Sequence, residues 1–188
     1  MDKYLVMEKH VLNKNLKLKV LIPEVKIKKR VKEIAKKINS DFEHESLIFI
    51  GVLNGSFLFF ADLIRELNID YEIDFIKISS YGDSMKSSGT INLINDINID
   101  VFNKNVIIVE DIVDSGNSLK YLKKVFDNKN LKSLRFITLL HKPHTSNLDF
   151  FLDYVGFEIG DEFVVGYGLD YKQKLRGLTS IYTLIEEY

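Results

Sequence analysis

Three carboxylates and a turn of small polar residues stand together at Glu110-Asp111-Ile112-Val113-Asp114-Ser115-Gly116-Asn117-Ser118, directly after the apolar run Val106 to Val109. The turn suits a phosphate, because successive main-chain N–H groups, the Ser115 and Ser118 hydroxyls and the positive end of a following helix converge there. Neither G-x-x-x-x-G-K-[ST] nor G-x-G-x-x-G occurs in the chain, which removes support for a P-loop nucleotidase and for a dinucleotide-binding domain. Asn54-Gly55 closes another apolar run and, read alone, is a turn signal. His10, His44, His141 and His144 show no metal-ligand spacing, and the chain has no cysteine to offer as thiol nucleophile, disulfide or zinc ligand.

The elements that must hold these residues follow from hydrophobic period. Ile27, Val31, Ile34, Ala35 and Ile38 share one face of an amphipathic helix. Leu47 to Leu53 is a short run without polar alternation, as expected of a strand buried on both faces; Asn54-Gly55 then turns the chain and Ser56 is placed to cap a helix through Phe57, Phe60, Leu63 and Leu67. Val106 to Val109 repeats the unit as strand, polar turn and a helix burying Leu119, Leu122, Val125 and Phe126. Further strands are expected at Ile73 to Ser79, Leu134 to Leu140, Tyr154 to Ile159, Phe163 to Tyr167 and Ile181 to Ile185, and a Gly/Ser-rich loop after Tyr81. Alternating buried strands and helices predict an α/β fold, an open, mostly parallel twisted sheet flanked by helices, with the terminal segments forming a small hood. The acidic turn then lies at a strand's carboxyl end, where open α/β sheets bind ligands.

The 188 residues, 46% of them hydrophobic, suffice for one domain and are few for two, so residues 1–188 are expected to form a single unit. A net charge of -1 gives no field to draw the chain onto nucleic acid or anionic lipid, and charges interrupt every apolar stretch before a bilayer-spanning length. A small-molecule partner, no nucleic acid, no membrane and a cytoplasmic setting are the expectations.

Two acidic residues, two apolar ones and then Asp-Ser-Gly-x-Ser resemble the signature by which type I phosphoribosyltransferases bind phosphoribosyl pyrophosphate (PRPP). Leu53-Asn54-Gly55, Ser80-Tyr81, Lys142, and Phe163-Val-Val-Gly-Tyr-Gly-Leu-Asp170-Tyr with Arg176 beyond it look like the hypoxanthine-guanine branch, in the family's order from roughly residue 45 to 185. The resemblance implies transfer of ribose 5-phosphate from PRPP to a 6-oxopurine, with magnesium as cofactor and a homodimer or homotetramer as assembly.

It also implies roles. Glu110 and Asp111 face the ribose hydroxyls and their magnesium, and Asp114 meets N7 of the base as general base. Ser115, Gly116, Asn117 and Ser118 hold the 5′-phosphate; Asn117 stands where many members carry Lys or Thr, which leaves the main-chain cradle intact. Leu53, Asn54 and Gly55 form the pyrophosphate loop, where a non-proline cis peptide is implied, and Asp170 and Arg176 are ligands of magnesium and pyrophosphate. Phe163 stacks on the purine, Val164 and Leu169 line it, Lys142 donates to O6, and Ser80 and Tyr81 open a closing loop. A valine at Gly116 is expected to obstruct phosphate with little loss of fold. A xanthine-preferring enzyme and a PRPP-sensing regulator of the same fold stay open as alternatives, since a hood reading bases through main-chain atoms hides its preference from sequence.

Overall fold

The computed structural model describes residues 6–11, 14–80 and 91–185. The strands β3 (Leu47–Leu53), β4 (Tyr71–Ser80), β5 (Ile91–Asn95), β6 (Asn105–Val113), β7 (Ser133–His141) and β8 (Tyr154–Glu158) form a six-stranded sheet in the order β5-β4-β3-β6-β7-β8. All neighbours run parallel except β5, which lies antiparallel along β4. Each parallel strand needs a crossover, and these are helical where the chain repeats strand, turn and helix: α2 (Phe57–Arg65) follows β3 and α3 (Asn117–Asp127) follows β6. An earlier helix, α1 (Glu24–Asp41), packs beside α2.

Alternation along the central strands sorts the core onto two faces. Phe49, Ile107, Val109, Ile137 and Leu139 meet α1 and α2 through Ile27, Ile34, Phe60 and Leu63. Ile48, Ile50, Val106, Ile108 and Phe136 meet α3 through Leu119, Leu122 and Phe126. Burial of such a side chain is worth about 1.5–3 kcal/mol, so the helices are fixed on the sheet and the strand ends beneath them are held rigidly. Gly51 is required by this packing, since a Cβ there would lie 2.9 Å from the rings of Phe60 and Phe75.

The terminal segments build a second, antiparallel sheet of β1 (Val6–Val11), β2 (Lys14–Ile22), β10 (Ile181–Ile185) and β9 (Val164–Val165), in the order β1-β2-β10-β9, around Leu18, Val165 and Tyr182. This is the expected hood. Within the described residues no helix is long and apolar enough to cross a membrane.

Local expectations needed correction in four places. Ser56 does not cap α2: its hydroxyl donates to Val52 O at 2.6 Å and its own backbone is helical, which tightens the turn after β3 instead. The helix also stops at Arg65, short of Leu67. β6 continues through Glu110 and Asp111, so these carboxylates sit on a strand rather than in the turn. The strand expected over Phe163 to Tyr167 is reduced to two residues, because Gly166 (φ 93°), Tyr167 (φ 49°) and Gly168 (φ 102°) turn the chain through the left-handed region. Tyr81 and the rest of the Gly/Ser loop lie outside the described residues; Ser80 ends β4.

Candidate active site

The parallel register brings the carboxyl ends of β3, β6 and β7 to one edge of the sheet. Val113 pairs with His141, and just beyond, Lys142 N–H donates to Val113 O at 2.9 Å. That bond sets Lys142 opposite the start of the acidic turn, and its Nζ donates to Asp114 Oδ2 at 2.8 Å. The Lys142 residue is buried (6% exposed), which an ammonium tolerates only with an acceptor. Thr145 donates to the other oxygen, Asp114 Oδ1, at 2.8 Å. Burial raises the Asp114 pKa, but the Lys142 hydrogen bond, the Thr145 hydroxyl and the Lys142 charge outweigh it and hold the carboxyl below the usual aspartate range.

A cavity of about 240 Å³ opens beside this pair, lined along one strand-turn-helix by Glu110, Asp111, Asp114, Ser115, Gly116 and Ser118 among others. Gly116 ends the turn at φ 81° and leads directly into α3. Its N–H and that of Ser118 have no partner among the described residues, so both are free to meet an anion at the positive end of α3. Asn117 N–H is turned back onto Ser115 Oγ at 3.4 Å.

The expectation for a valine at Gly116 fails on this geometry. The left-handed backbone disfavours any β-branched residue, and a Cβ would lie 2.7 Å from Leu148 Cδ2. Gly116→Val should therefore lower the melting temperature together with phosphate binding. Ser118→Asp is the cleaner probe, since it adds a like charge without altering the turn.

Both strand carboxylates are held above the usual carboxylate range. Glu110 is buried, its Oε2 has no hydrogen-bond partner among the described residues, and burial followed by the Asp111 charge raises its pKa well above normal. Burial likewise pushes Asp111 up to about 6, although N–H groups of Ile112 and of Asp111 itself and the Arg176 charge oppose it, while Asp170 adds to the rise. A raised carboxyl contributes stability below its unfolded pKa and loses it as pH climbs through the folded value. Asp111→Asn, which resembles the protonated form, should thus be more stable than the parent protein above about pH 6, by on the order of 2 kcal/mol, and no more stable below about pH 4. Urea unfolding of both proteins without added metal at pH 4 and pH 8 reads this difference directly.

The third wall comes from the loops after β3 and β9. The Leu53–Asn54 peptide bond is cis. Gly55 lies so close to Asp111 that a Cβ would overlap its carboxylate, and one at Gly168 would overlap Gly55 O. The two loops therefore meet backbone to backbone, and the Asp111 carboxylate packs directly on the first of them. Arg176 fastens this stack: Nη1 donates to Gly168 O at 2.8 Å, and Nη2 pairs with Asp170 Oδ1 at 2.7 Å. Asp170 Oδ2 accepts Gln173 N–H at 2.8 Å. Tyr167 donates to Asp62 Oδ2 at 2.6 Å and ties the hood loop to α2; burial and that carboxylate push its phenol pKa up.

Phe163 is 55% exposed and meets the Tyr171 ring edge-on, with centroids 6.3 Å apart. Val164 and Leu169 are buried behind it, and Leu169 exchanges both main-chain bonds with Gly166. Thus the structure gathers Asp114, Lys142 and the phosphate turn in one cluster, and Asp111, Gly55, Asp170 and Arg176 in another joined to it through β6. Thr145 and Gly168 carried no signal in the sequence: a threonine in a polar loop and a glycine in a turn are ordinary, and only the contacts single them out.

Known proteins resemble this chain over most of its length. A family model described as "Phosphoribosyl transferase domain" matches residues 23–172. The hypoxanthine-guanine phosphoribosyltransferase of Bacillus subtilis is 44% identical over 163 residues, 87% of this chain and 91% of that protein. The hypoxanthine phosphoribosyltransferase of Escherichia coli K12 is 40% identical over 166 residues, 87% and 93% of the two chains. Among solved structures, a hypoxanthine-guanine phosphoribosyltransferase of Bacillus anthracis superposes with a TM-score of 0.84 at 47% identity, covering 88% of this chain and 98% of that one. In sequence and in fold, the chain belongs to the phosphoribosyltransferase family, on its hypoxanthine-guanine branch.

Proposed function

We propose that this chain is a purine salvage enzyme that transfers the 5-phosphoribosyl group of PRPP to hypoxanthine, guanine or both, giving IMP or GMP and pyrophosphate. The observation that carries the reading is the Lys142–Asp114 pair, a buried donor-only cation beside an ionised acceptor at the rim of a phosphate-binding turn. A 6-oxopurine presents a matching acceptor, O6, next to the N7 edge. The relatives above are all named for hypoxanthine or hypoxanthine-guanine transfer, which favours this reading over a xanthine-preferring enzyme or a regulator.

In this reading the free N–H groups of Gly116 and Ser118, with the hydroxyls of Ser115 and Ser118 and the Asn117 main chain, hold the 5′-phosphate. Glu110 and Asp111 lie under the ribose and stabilise the positive charge that develops as C1′ parts from pyrophosphate. Attack by the purine nitrogen from the opposite side inverts C1′. Lys142 donates to O6, Asp114 accepts the proton at N7, and Phe163 lies on the purine face with Val164 and Leu169 behind it. Leu53, Asn54 and Gly55 border the pyrophosphate.

The residues present fit magnesium. Glu110 Oε2 is a buried oxygen without a donor, beside a second carboxylate, and Asp170 lies close enough to raise the Asp111 pKa. Among the described residues no three His, Cys, Asp or Glu side chains form a cage. Asp170, which engages Arg176, would hold the ion, and Arg176 would meet pyrophosphate, which an Arg fork suits. Magnesium, when bound, neutralises pyrophosphate and makes it a competent leaving group.

The test is IMP formation from PRPP and hypoxanthine with and without excess chelator. Activity should vanish on chelation and return with added magnesium, and Asp170→Asn should raise the magnesium concentration for half-maximal rate. Undiminished IMP formation in excess chelator contradicts the proposed chemistry.

A further inference from the structure

Asp114 is held at both oxygens, by donors of different kinds. Oδ2 faces Lys142, whose ammonium is also the donor proposed for O6, and Oδ1 faces Thr145. When Lys142 turns to a base, Thr145 is the remaining side-chain tie on the carboxylate. The hydroxyl has one proton to give and three acceptors nearby: Asp114 Oδ1 at 2.8 Å, Asp114 O at 3.3 Å and Lys142 O at 3.5 Å. The shortest contact, to a charged acceptor, takes the proton.

The turn that carries Thr145 is fixed independently of Asp114. Thr145 N–H and Ser146 N–H both donate to Lys142 O, at 3.3 and 3.0 Å, and Asn147 N–H donates to Ser115 O at 3.1 Å. Ser146 Oγ also meets His141 Nε2 at 2.8 Å. The hydroxyl therefore projects from a backbone tied to the base donor on one side and to the phosphate turn on the other, and β-branching limits its χ1.

We propose that Thr145 is a positioning residue for the transfer reaction: its hydroxyl holds Asp114 Oδ1 so that Oδ2, once released by Lys142, faces the purine nitrogen. The proposal rests on the phosphoribosyl-transfer reading. Thr145 touches no reacting atom; it restricts the rotation of a carboxylate that is 54% exposed and otherwise free to swing toward water. An orientation effect of this kind acts on the chemical step and leaves PRPP binding untouched.

Thr145→Val keeps the shape and removes the hydroxyl, whereas Thr145→Ser keeps the hydroxyl and removes a methyl. The expected result is a single-turnover rate of IMP formation lowered about tenfold in the valine variant and restored to within about twofold in the serine variant. PRPP affinity by calorimetry and the melting temperature should match the unmodified protein in both. Equal rates in the valine variant and the unmodified protein overturn the positioning role, and so do equal losses in both variants or a loss matched by weaker PRPP binding. If the unmodified protein makes no nucleotide from PRPP and hypoxanthine, the transfer reading itself fails and the role of Thr145 falls with it.

Discussion

Asp114→Asn should lower the single-turnover rate of nucleotide formation by roughly 10²–10⁴-fold while PRPP still binds. The structure explains why the fold should survive. Asn keeps one oxygen for the buried Lys142 ammonium, and its amide can face the Thr145 hydroxyl, which accepts as well as donates. No buried cation is left without an acceptor, and the lost ion pair is half exposed at its Asp114 end, so stability changes little. What disappears is the negative charge that the proposed reaction uses to take the proton from the purine nitrogen. Because Asp114 is held ionised below the usual aspartate range, it is a ready acceptor at every pH above that range, and loss of activity near neutrality is not expected from its titration. A rate within a few-fold of the unmodified protein, at saturating PRPP, removes Asp114 from the chemistry.

Lys142→Gln should lower kcat/KM for hypoxanthine by about 10²-fold or more and leave PRPP affinity nearly unchanged. Two effects combine, and the structure shows that they cannot be separated at this residue. The variant loses the donor-only group proposed for O6, and Asp114 loses the cation that helps hold its pKa down. An amide presents either a donor or an acceptor, so the variant should also discriminate less against adenine, whose 6-amino group meets an ammonium as donor against donor. Steady-state kinetics with both bases, with calorimetry on PRPP, check the prediction; unchanged discrimination removes Lys142 as the reader of position 6.

The sequence made the central layer legible because its strands are buried on both faces. Leu47 to Leu53 and Val106 to Val109 are unbroken apolar runs, and the helices between carry one-sided patterns. Edges were harder. β2 alternates Leu16, Leu18 and Val20 with lysines, yet its strand partners β1 and β10 lie at near and remote positions that no local pattern links, and β5 is short, with Asn92 and Asn95 exposed. β9 stops at the left-handed Gly166, and the turn continues through a left-handed Tyr167, a conformation that residue type does not announce.

Of the candidate site, the motifs name residues but not their pairings. Asp114 with Lys142 spans 28 positions, and Gly55 against Asp111 and Gly168 joins three separate elements; such contacts follow from sheet order, which spacing along the chain does not encode. The same limit explains the misjudged Gly116, whose neighbour Leu148 comes from the loop after β7.

The central claim is that a donor-only lysine beside an ionised aspartate reads a 6-oxopurine at a PRPP site, and one measurement addresses it most directly: kcat/KM for hypoxanthine, guanine, xanthine and adenine, each with PRPP and magnesium. Nucleotide should form from hypoxanthine, guanine or both, and adenine should be disfavoured by about 10⁴-fold or more, as expected when a site built around a hydrogen bond meets a base that cannot make it. Adenine used as well as hypoxanthine, or no nucleotide from any of the four bases, contradicts the account.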